Sequence, residues 1–291
     1  MSGEARAEVG VLGGSGLYDL AGLEEVETLK LDTPFGSPSD EVVVGTVEGK
    51  RVAFLARHGR NHRLIPSEIN YRANIFALKT LGVERILSAS AVGSMREDVH
   101  PRDVVLPDQF IDRTKNRPST FFGDGIAVHV SFGDPVCAEV RRILLSSARA
   151  VGARAHDGGV YLCMEGPAFS TRAESNLYRA WGVDIIGMTN LQEAKLSREA
   201  EICYASLALV TDYDCWHDAE AEVSVEALID NLQANSALAA GVLKTAIREL
   251  PRGERTCSCA HALRYAIITP PDAVSDDTRK RLRPIVGRYL D

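Results

Sequence analysis

The 291-residue chain is 45% hydrophobic and 25% charged, the composition of a globular protein that can bury a sizeable core as one large domain or two ordinary ones. Its net charge of -7 argues against a general nucleic-acid or anionic-membrane surface, because both need clustered Lys and Arg; any anion site must be local. The polar start, Met1 to Glu8, leads into only a short apolar run, and no stretch of about 20 apolar residues follows, so a cytoplasmic protein without a membrane span is expected.

In chain order, Val9 to Leu12 predicts a short strand entering Gly13-Gly14-Ser15-Gly16, a loop able to bring backbone N–H groups and one hydroxyl close to an anion. No Gly-Lys-Ser/Thr follows, and Asp19 stands where a dinucleotide fingerprint has its third glycine, which disfavours a dinucleotide enzyme. Glu41 to Val47 and Arg51 to Ala56 read as a hairpin about Glu48-Gly49, and the second strand is apolar enough to be buried on both faces. It opens into Arg57-His58-Gly59-Arg60-Asn61-His62-Arg63. A solvated loop is one reading. The other is an oxyanion site, phosphate above all, because donors suited to bidentate binding stand where an open α/β sheet places its ligands.

A helix is expected from Ser67 to Leu81, stopped by Gly82, then a strand over Arg85–Val92 whose small residues and hydroxyls let a ligand approach the backbone. A short strand at Asp103–Leu106 precedes a polar loop, Asp112 to Gly125, at the edge of a site or an interface. A helix over Pro135–Val151 is followed by a strand over Gly159–Met164. Pro167 ends regular structure after that strand, and Phe169 is an aromatic set in a loop. Thr171–Ala180 is a helix, Val183–Met188 a strand, and Thr189–Glu201 a helix containing Glu193. The strand Ala205–Asp212 ends in two carboxylates, and extended alternation puts Asp212 and Asp214 on one face with Thr211 and Tyr213 on the other. A helix from Ser224 to Leu250, a strand at Tyr265–Thr269 and a helix over Asp276–Leu290 interrupted near Pro284 complete the chain.

Strands alternating with helices, without a linker or repeat, imply one α/β domain over residues 1–291 with a mostly parallel or mixed sheet. Cys137, Cys163, Cys203 and Cys215 lie in apolar segments and read as reduced core thiols. Cys257-Ser258-Cys259 is too short for the usual zinc-site pairings and His261 adds one candidate ligand, so no metal is expected; a disulfide and plain thiols both stay open.

A hydroxyl in a glycine cradle, an Arg-His pair, a small-residue floor, a loop aromatic and two aspartates suggest a nucleoside split by phosphate. Here the sequence resembles the purine nucleoside phosphorylase superfamily, in its 5'-methylthioadenosine phosphorylase branch. The motifs, in shared order over roughly residues 9 to 250, are Gly13-Gly14-Ser15-Gly16-Leu17, Asp32-Thr33-Pro34-Phe35-Gly36, Arg57-His58-Gly59-Arg60-Asn61-His62, Asn70-Tyr71-Arg72-Ala73-Asn74, Asp108-Gln109-Phe110-Ile111-Asp112, Glu165-Gly166-Pro167-Ala168-Phe169-Ser170 and Thr211-Asp212-Tyr213-Asp214-Cys215-Trp216.

The resemblance implies a single α/β domain around a mixed, partly barrelled sheet, in a homotrimer or a dimer of trimers. It implies phosphate-dependent cleavage of S-methyl-5'-thioadenosine to adenine and 5-methylthio-α-ribose 1-phosphate, with inorganic phosphate as co-substrate and no other cofactor. Carried over by position, Ser15, Arg57, His58, Ser90, the Ala91 backbone and Thr189 bind phosphate. Met188 lies under the ribose, Phe169 packs on the base, and Asp212 and Asp214 read the purine, with Asp212 as proton donor. Val223, Val225 and Leu228 fit an apolar 5' pocket, closed by His129 of a neighbouring subunit and by the C-terminal segment 251–291 near Ile267 and Ile268. The Cys257/Cys259 pair resembles that of some relatives from heat-loving microbes, favouring the disulfide, and Gln192 stands where many relatives have Pro. Two rivals are a phosphorylase of 6-oxopurine nucleosides or 5'-methylthioinosine and a non-catalytic nucleoside-binding protein.

Overall fold

In the computed structural model of the chain the described residues are 6–14, 23–217 and 225–290, without the side chains of 225–230, 232 and 233. Eleven strands form one mixed sheet: β1 (Val9–Gly13), β2 (Glu24–Leu29), β3 (Val42–Val47), β4 (Lys50–Ala56), β5 (Arg85–Ser94), β6 (Val104–Leu106), β7 (Gln109–Arg113), β8 (Ala155–Asp157), β9 (Val160–Met164), β10 (Ile185–Gly187) and β11 (Cys203–Asp212). The α-helices are α1 (Tyr71–Thr80), α2 (Ala138–Ala150), α3 (Arg172–Ala180), α4 (Asn190–Glu199), α5 (Val225–Glu249) and α6 (Asp276–Leu290).

The sheet branches at β5. One path runs β2-β3-β4-β1-β5-β10-β9-β7, and a second leaves β5 through β11 and β6 to β8. Strand β5 pairs in parallel with β1 over Arg85–Ser88 and with β11 almost throughout, while Gly93 and Ser94 pair antiparallel with β10. Because β1 is also parallel to β4, the C-terminal ends of β1, β4 and β11 open at the same side, and β10 runs back towards the middle of β5.

Strand periodicity sorts the core into two layers. Leu12, Ala53 and Leu55 pack with Ile75, Leu78, Leu196, Leu282 and Ile285 from α1, α4 and α6. Their alternate neighbours Val9, Val11, Val52 and Phe54 pack with Val140, Leu144, Val242 and Leu243 from α2 and α5. Fully burying each large apolar side chain contributes about 1.5–3 kcal/mol, so both faces of β1 and β4 are anchored and their ends are rigid platforms for a site.

Several expected boundaries shift. Helix α1 begins at Tyr71, because the Asn70 side chain accepts the Ala73 N–H as an N-cap and Ser67–Asn70 stays outside the helix. The acid-rich edge strand β2 and the short β8 were not expected. Tyr265–Thr269 forms no strand but a single bridge, Val128 to Ile267. Helix α6 continues through Pro284; Leu282, Ile285, Val286 and Leu290 are all buried, and that packing offsets the local cost of proline.

Candidate active site

A cavity of about 340 Å³ lies where these strand ends meet residues 187–189. Arg57, His58, Ser90, Ala91, Phe169, Met188, Thr189, Asp212 and Asp214 all line it. The Ala89 carbonyl accepts from Arg57, and Gly93 abuts Asp212. The four residue steps of strand from Ala89 to Gly93, at ~3.3 Å each, separate the basic and acidic ends by about 13 Å, the scale of a nucleoside with an anion beside its sugar.

Arg57 follows β4 directly and is 1% exposed. Its Nε donates to Glu193 Oε1 at 2.6 Å, and Nη2 donates to Ser88 Oγ at 2.6 Å, Leu12 O at 3.1 Å and Glu193 Oε2 at 3.3 Å. Nη1 donates to Ala89 O at 2.6 Å, so of five N–H groups one Nη1 proton is left over among the described residues. The bidentate fork expected from sequence is thus spent on Glu193, and the cavity receives a single donor plus a fixed positive charge. Glu193 raises the Arg57 pKa against the opposing effect of burial, the largest single influence on it.

His58 donates from Nδ1 to Leu64 O at 2.8 Å, which leaves Nε2 as an acceptor in the neutral ring. Burial and the Arg57 charge push its pKa down to about 4. His62 stacks on it, with centroids 4.1 Å apart, and lines the cavity as well. Thr189 is the N-cap of α4 but makes no capping bond with its side chain, so its hydroxyl is available beside the positive end of that helix. Ser90 Oγ donates to Asn190 Oδ1 at 2.6 Å, and Asn190 Nδ2 in turn donates to Ser88, Tyr204 and Ser206.

At the acidic end the alternation expected from sequence does not hold. A bulge between Val210 and Asp212 in the pairing with β5 turns Thr211 into the cavity, and Asp214 sits in a turn at φ 53°. Asp212 and Asp214 still line one cavity, and the Asp214 N–H donates to Asp212 Oδ1 at 2.8 Å. Thr211 Oγ1 donates to Asp212 Oδ2 at 2.6 Å. Both bonds favour an ionised Asp212. Burial, with the Asp212 charge adding to it, pushes the Asp214 carboxyl up. Gly93 makes the pair possible: a Cβ there would lie 2.9 Å from Asp212 Oδ1.

Phe169 is 62% exposed on the rim, and Met188 is held against Gly166, where φ is 68° and a Cβ would stand 2.5 Å from Sδ. Arg117, from the polar loop read as a site edge, locks this side. It donates to Met188 O at 2.5 Å, to Glu165 O, and to Glu165 Oε1 at 3.3 Å. Gln192, buried in the first turns of α4, joins the same cluster by donating to Thr114 Oγ1 at 2.8 Å.

Sequence reasoning missed His62, Thr211 and Asn235 as lining residues. Asn235 donates from Nδ2 to Val210 O, and its Oδ1 is buried without a partner among the described residues. Ser15, Val223 and Ser224 lie outside the described residues; Val225 falls at the start of α5 and Leu228 within it, with undescribed side chains. His129 is not among the residues lining the cavity. Its N–H donates to Ala266 O at 2.9 Å, which sets it beside the C-terminal segment with Tyr265 87% and Ile268 62% exposed.

A branched mixed sheet flanked by helices, with a basic end and a carboxylate end in one cavity, defines a nucleoside phosphorylase-like α/β protein. The family model of the phosphorylase superfamily matches residues 8–248. The chain is 57% identical to the S-methyl-5'-thioadenosine phosphorylase of Geobacter sulfurreducens over 97% of this chain and 99% of that one. It is 55% identical to that of Koribacter versatilis, over 98% and 97%. A crystal structure of a methylthioadenosine phosphorylase from an antarctic soil metagenomic library superposes with a TM-score of 0.93 at 50% identity, covering 97% of this chain and 99% of that one. The Schistosoma mansoni methylthioadenosine phosphorylase in complex with adenine gives 0.79 at 37% identity, over 83% and 91%. The chain belongs to the phosphorylase superfamily and, within it, to the S-methyl-5'-thioadenosine phosphorylase family.

Proposed function

We propose that this chain, as one catalytic domain in the cytoplasm, cleaves S-methyl-5'-thioadenosine with inorganic phosphate, giving adenine and 5-methylthio-α-ribose 1-phosphate. The observation that carries the reading is one cavity holding a buried, Glu193-fixed Arg57 about 13 Å along β5 from a carboxylate pair. Phosphate fits the basic end: the free Arg57 Nη1 proton and the Thr189 hydroxyl donate, while His58 Nε2 accepts from the proton-bearing oxygen of hydrogen phosphate. Ser15, Ser90 and the Ala91 backbone complete this reading of the site.

Phe169 covers the purine and Met188 underlies the ribose. N7 of adenine needs a donor and its exocyclic amine needs an acceptor. A carboxylate pair holding one proton offers one of each, and the pair titrates as a unit. With Asp214 raised by burial and Asp212 held by two donors, one proton is what the pair takes up most readily. As the glycosidic bond breaks, charge builds on the base, and Asp212 relays the pair's proton from Asp214 to N7, acting as general acid at the base. A 6-oxopurine presents acceptors at both N7 and O6 and needs both acids protonated, which the donors on Asp212 oppose. Phosphate attacks C1' from the face opposite the base, and its negative charge stabilises the cationic sugar.

The methylthio group faces Val223, Val225 and Leu228, with His129 and the Tyr265–Ile268 surface of a neighbouring subunit closing the pocket in a homotrimer. Exposure of Tyr265 and Ile268 beside His129 supports that arrangement. The test is release of adenine from S-methyl-5'-thioadenosine with and without phosphate. One ribose 1-phosphate product per adenine, formed only with phosphate, supports the reading, and phosphate-independent release contradicts it.

A further inference from the structure

Outside the active site, four cysteines meet. The Sγ atoms of Cys137, Cys203, Cys257 and Cys259 all lie within 4.8 Å of one another. They come from three places in the chain: Cys137 precedes α2, Cys203 opens β11, and Cys257 and Cys259 bracket the start of a 3-10 turn at Ser258–His261. Cys137, Cys203 and Cys259 are buried and Cys257 is half-buried; all are free thiols, and the Cys203 and Cys257 sulfurs are 3.3 Å apart. Along the sequence the Cys-Ser-Cys pair lacks partners. The fold supplies them.

A tetrahedral ion with metal–sulfur bonds of ~2.3 Å sets its four sulfurs about 3.8 Å apart, inside the span observed. Each sulfur here has the other three within 4.8 Å, so all four can reach one ion. Four thiolates around a divalent ion carry net negative charge, and Arg255, which pairs with Glu84 at 3.8 Å and donates to Glu201 O at 2.5 Å, also brings Nη1 within 4.0 Å of Cys203 Sγ.

We propose that Cys137, Cys203, Cys257 and Cys259 form a four-thiolate site for zinc or a similarly thiophilic divalent cation. Binding replaces four thiol protons by four metal–sulfur bonds, with no electron transferred. All four positions are filled by protein, so the site is structural. It stands at the far end of β11 from Asp212, nine residues or about 30 Å away. The ion ties the segment following α5 to β11 and α2. That segment continues through Leu263, whose N–H donates to Glu201, to Ala266, which meets His129.

The experiment is metal analysis of the full chain, expressed with zinc in the medium and purified under reductant without chelator. The expected result is one zinc per chain, an all-sulfur shell at the zinc X-ray absorption edge, and release of that zinc as a mercurial titrates the thiols. A Cys257→Ser/Cys259→Ser variant loses the metal, and a Cys163→Ala variant keeps it. Wild-type protein without zinc overturns the proposal, whether mass spectrometry finds six free thiols or disulfides among these four. The wild-type measurement decides even if a variant fails to fold.

Discussion

Replacing Glu193 with Gln removes the counter-charge of a cation that has no other ion-pair partner among the described residues. The Arg57 and Glu193 side chains are 1% and 2% exposed, with Nε and Oε1 2.6 Å apart. The carboxylate also accepts from Ser88 Oγ at 2.7 Å and Tyr204 OH at 2.9 Å. Gln keeps one acceptor oxygen and turns an amide donor towards groups that are themselves donors. An ion pair at ~4 Å between charge centres, with an effective dielectric constant of ~20, is worth about 4 kcal/mol. Breaking one side of a buried pair costs about 3–5 kcal/mol, a large part of a total stability of about 5–15 kcal/mol. Urea unfolding in phosphate-free buffer at fixed protomer concentration measures this, and turnover at limiting phosphate should fall with it because Arg57 loses its fixed position. A loss below ~1 kcal/mol with unchanged phosphate dependence refutes the claim that Glu193 holds the anion end.

Asp212→Asn keeps the shape of the acid pair but removes its titratable oxygen, so kcat should fall by about 10²–10⁴ while phosphate binding, read by calorimetry, is spared; an unchanged kcat removes Asp212 as proton donor. Phe169→Ala should raise KM for the nucleoside by about 5- to 150-fold, from ~1–3 kcal/mol of base stacking, and leave KM for phosphate alone. His58 titrates at about 4 in the folded chain against 6.5 as the reference value, so below 6.5 the unfolded chain takes up the proton first. Stability attributable to His58 is therefore complete above pH ~6.5 and falls by up to ~3 kcal/mol towards pH ~4. Comparing unfolding of the parent and His58→Asn at pH 7.5 and 4.5 without phosphate checks this; an equal acid loss in both removes the effect.

The features legible in the sequence are those that a single strand end produces. The apolar run of β4 announces Arg57 and His58, and the apolar run of β11 announces Asp212, because both strands are buried on both faces and stop at the cavity. Features that depend on partners far along the chain were not legible. Glu193 was noticed only as part of a helix, since its ion-pair partner is 136 residues away. Thr211 was sent to the wrong face because the bulge against β5 has no signature within β11 itself. Cys137 and Cys203 were read as separate core thiols and Cys257/Cys259 as a local pair open to a disulfide, because Cys203 and Cys257 are 54 positions apart in the chain. Edge strand β2 has too many acids for its alternation to register, and it forms because β3 offers a free edge.

The most direct test of the acid-pair account is kcat/KM for S-methyl-5'-thioadenosine against 5'-methylthioinosine, with saturating phosphate at neutral pH. The two nucleosides differ at position 6 of the base, which turns a donor into an acceptor and leaves the 5' group unchanged. The account predicts a preference for the aminopurine of at least ~100-fold, as for a buried polar group left facing the wrong partner. Equal rates, or faster release of hypoxanthine, contradict a pair that offers one donor and one acceptor.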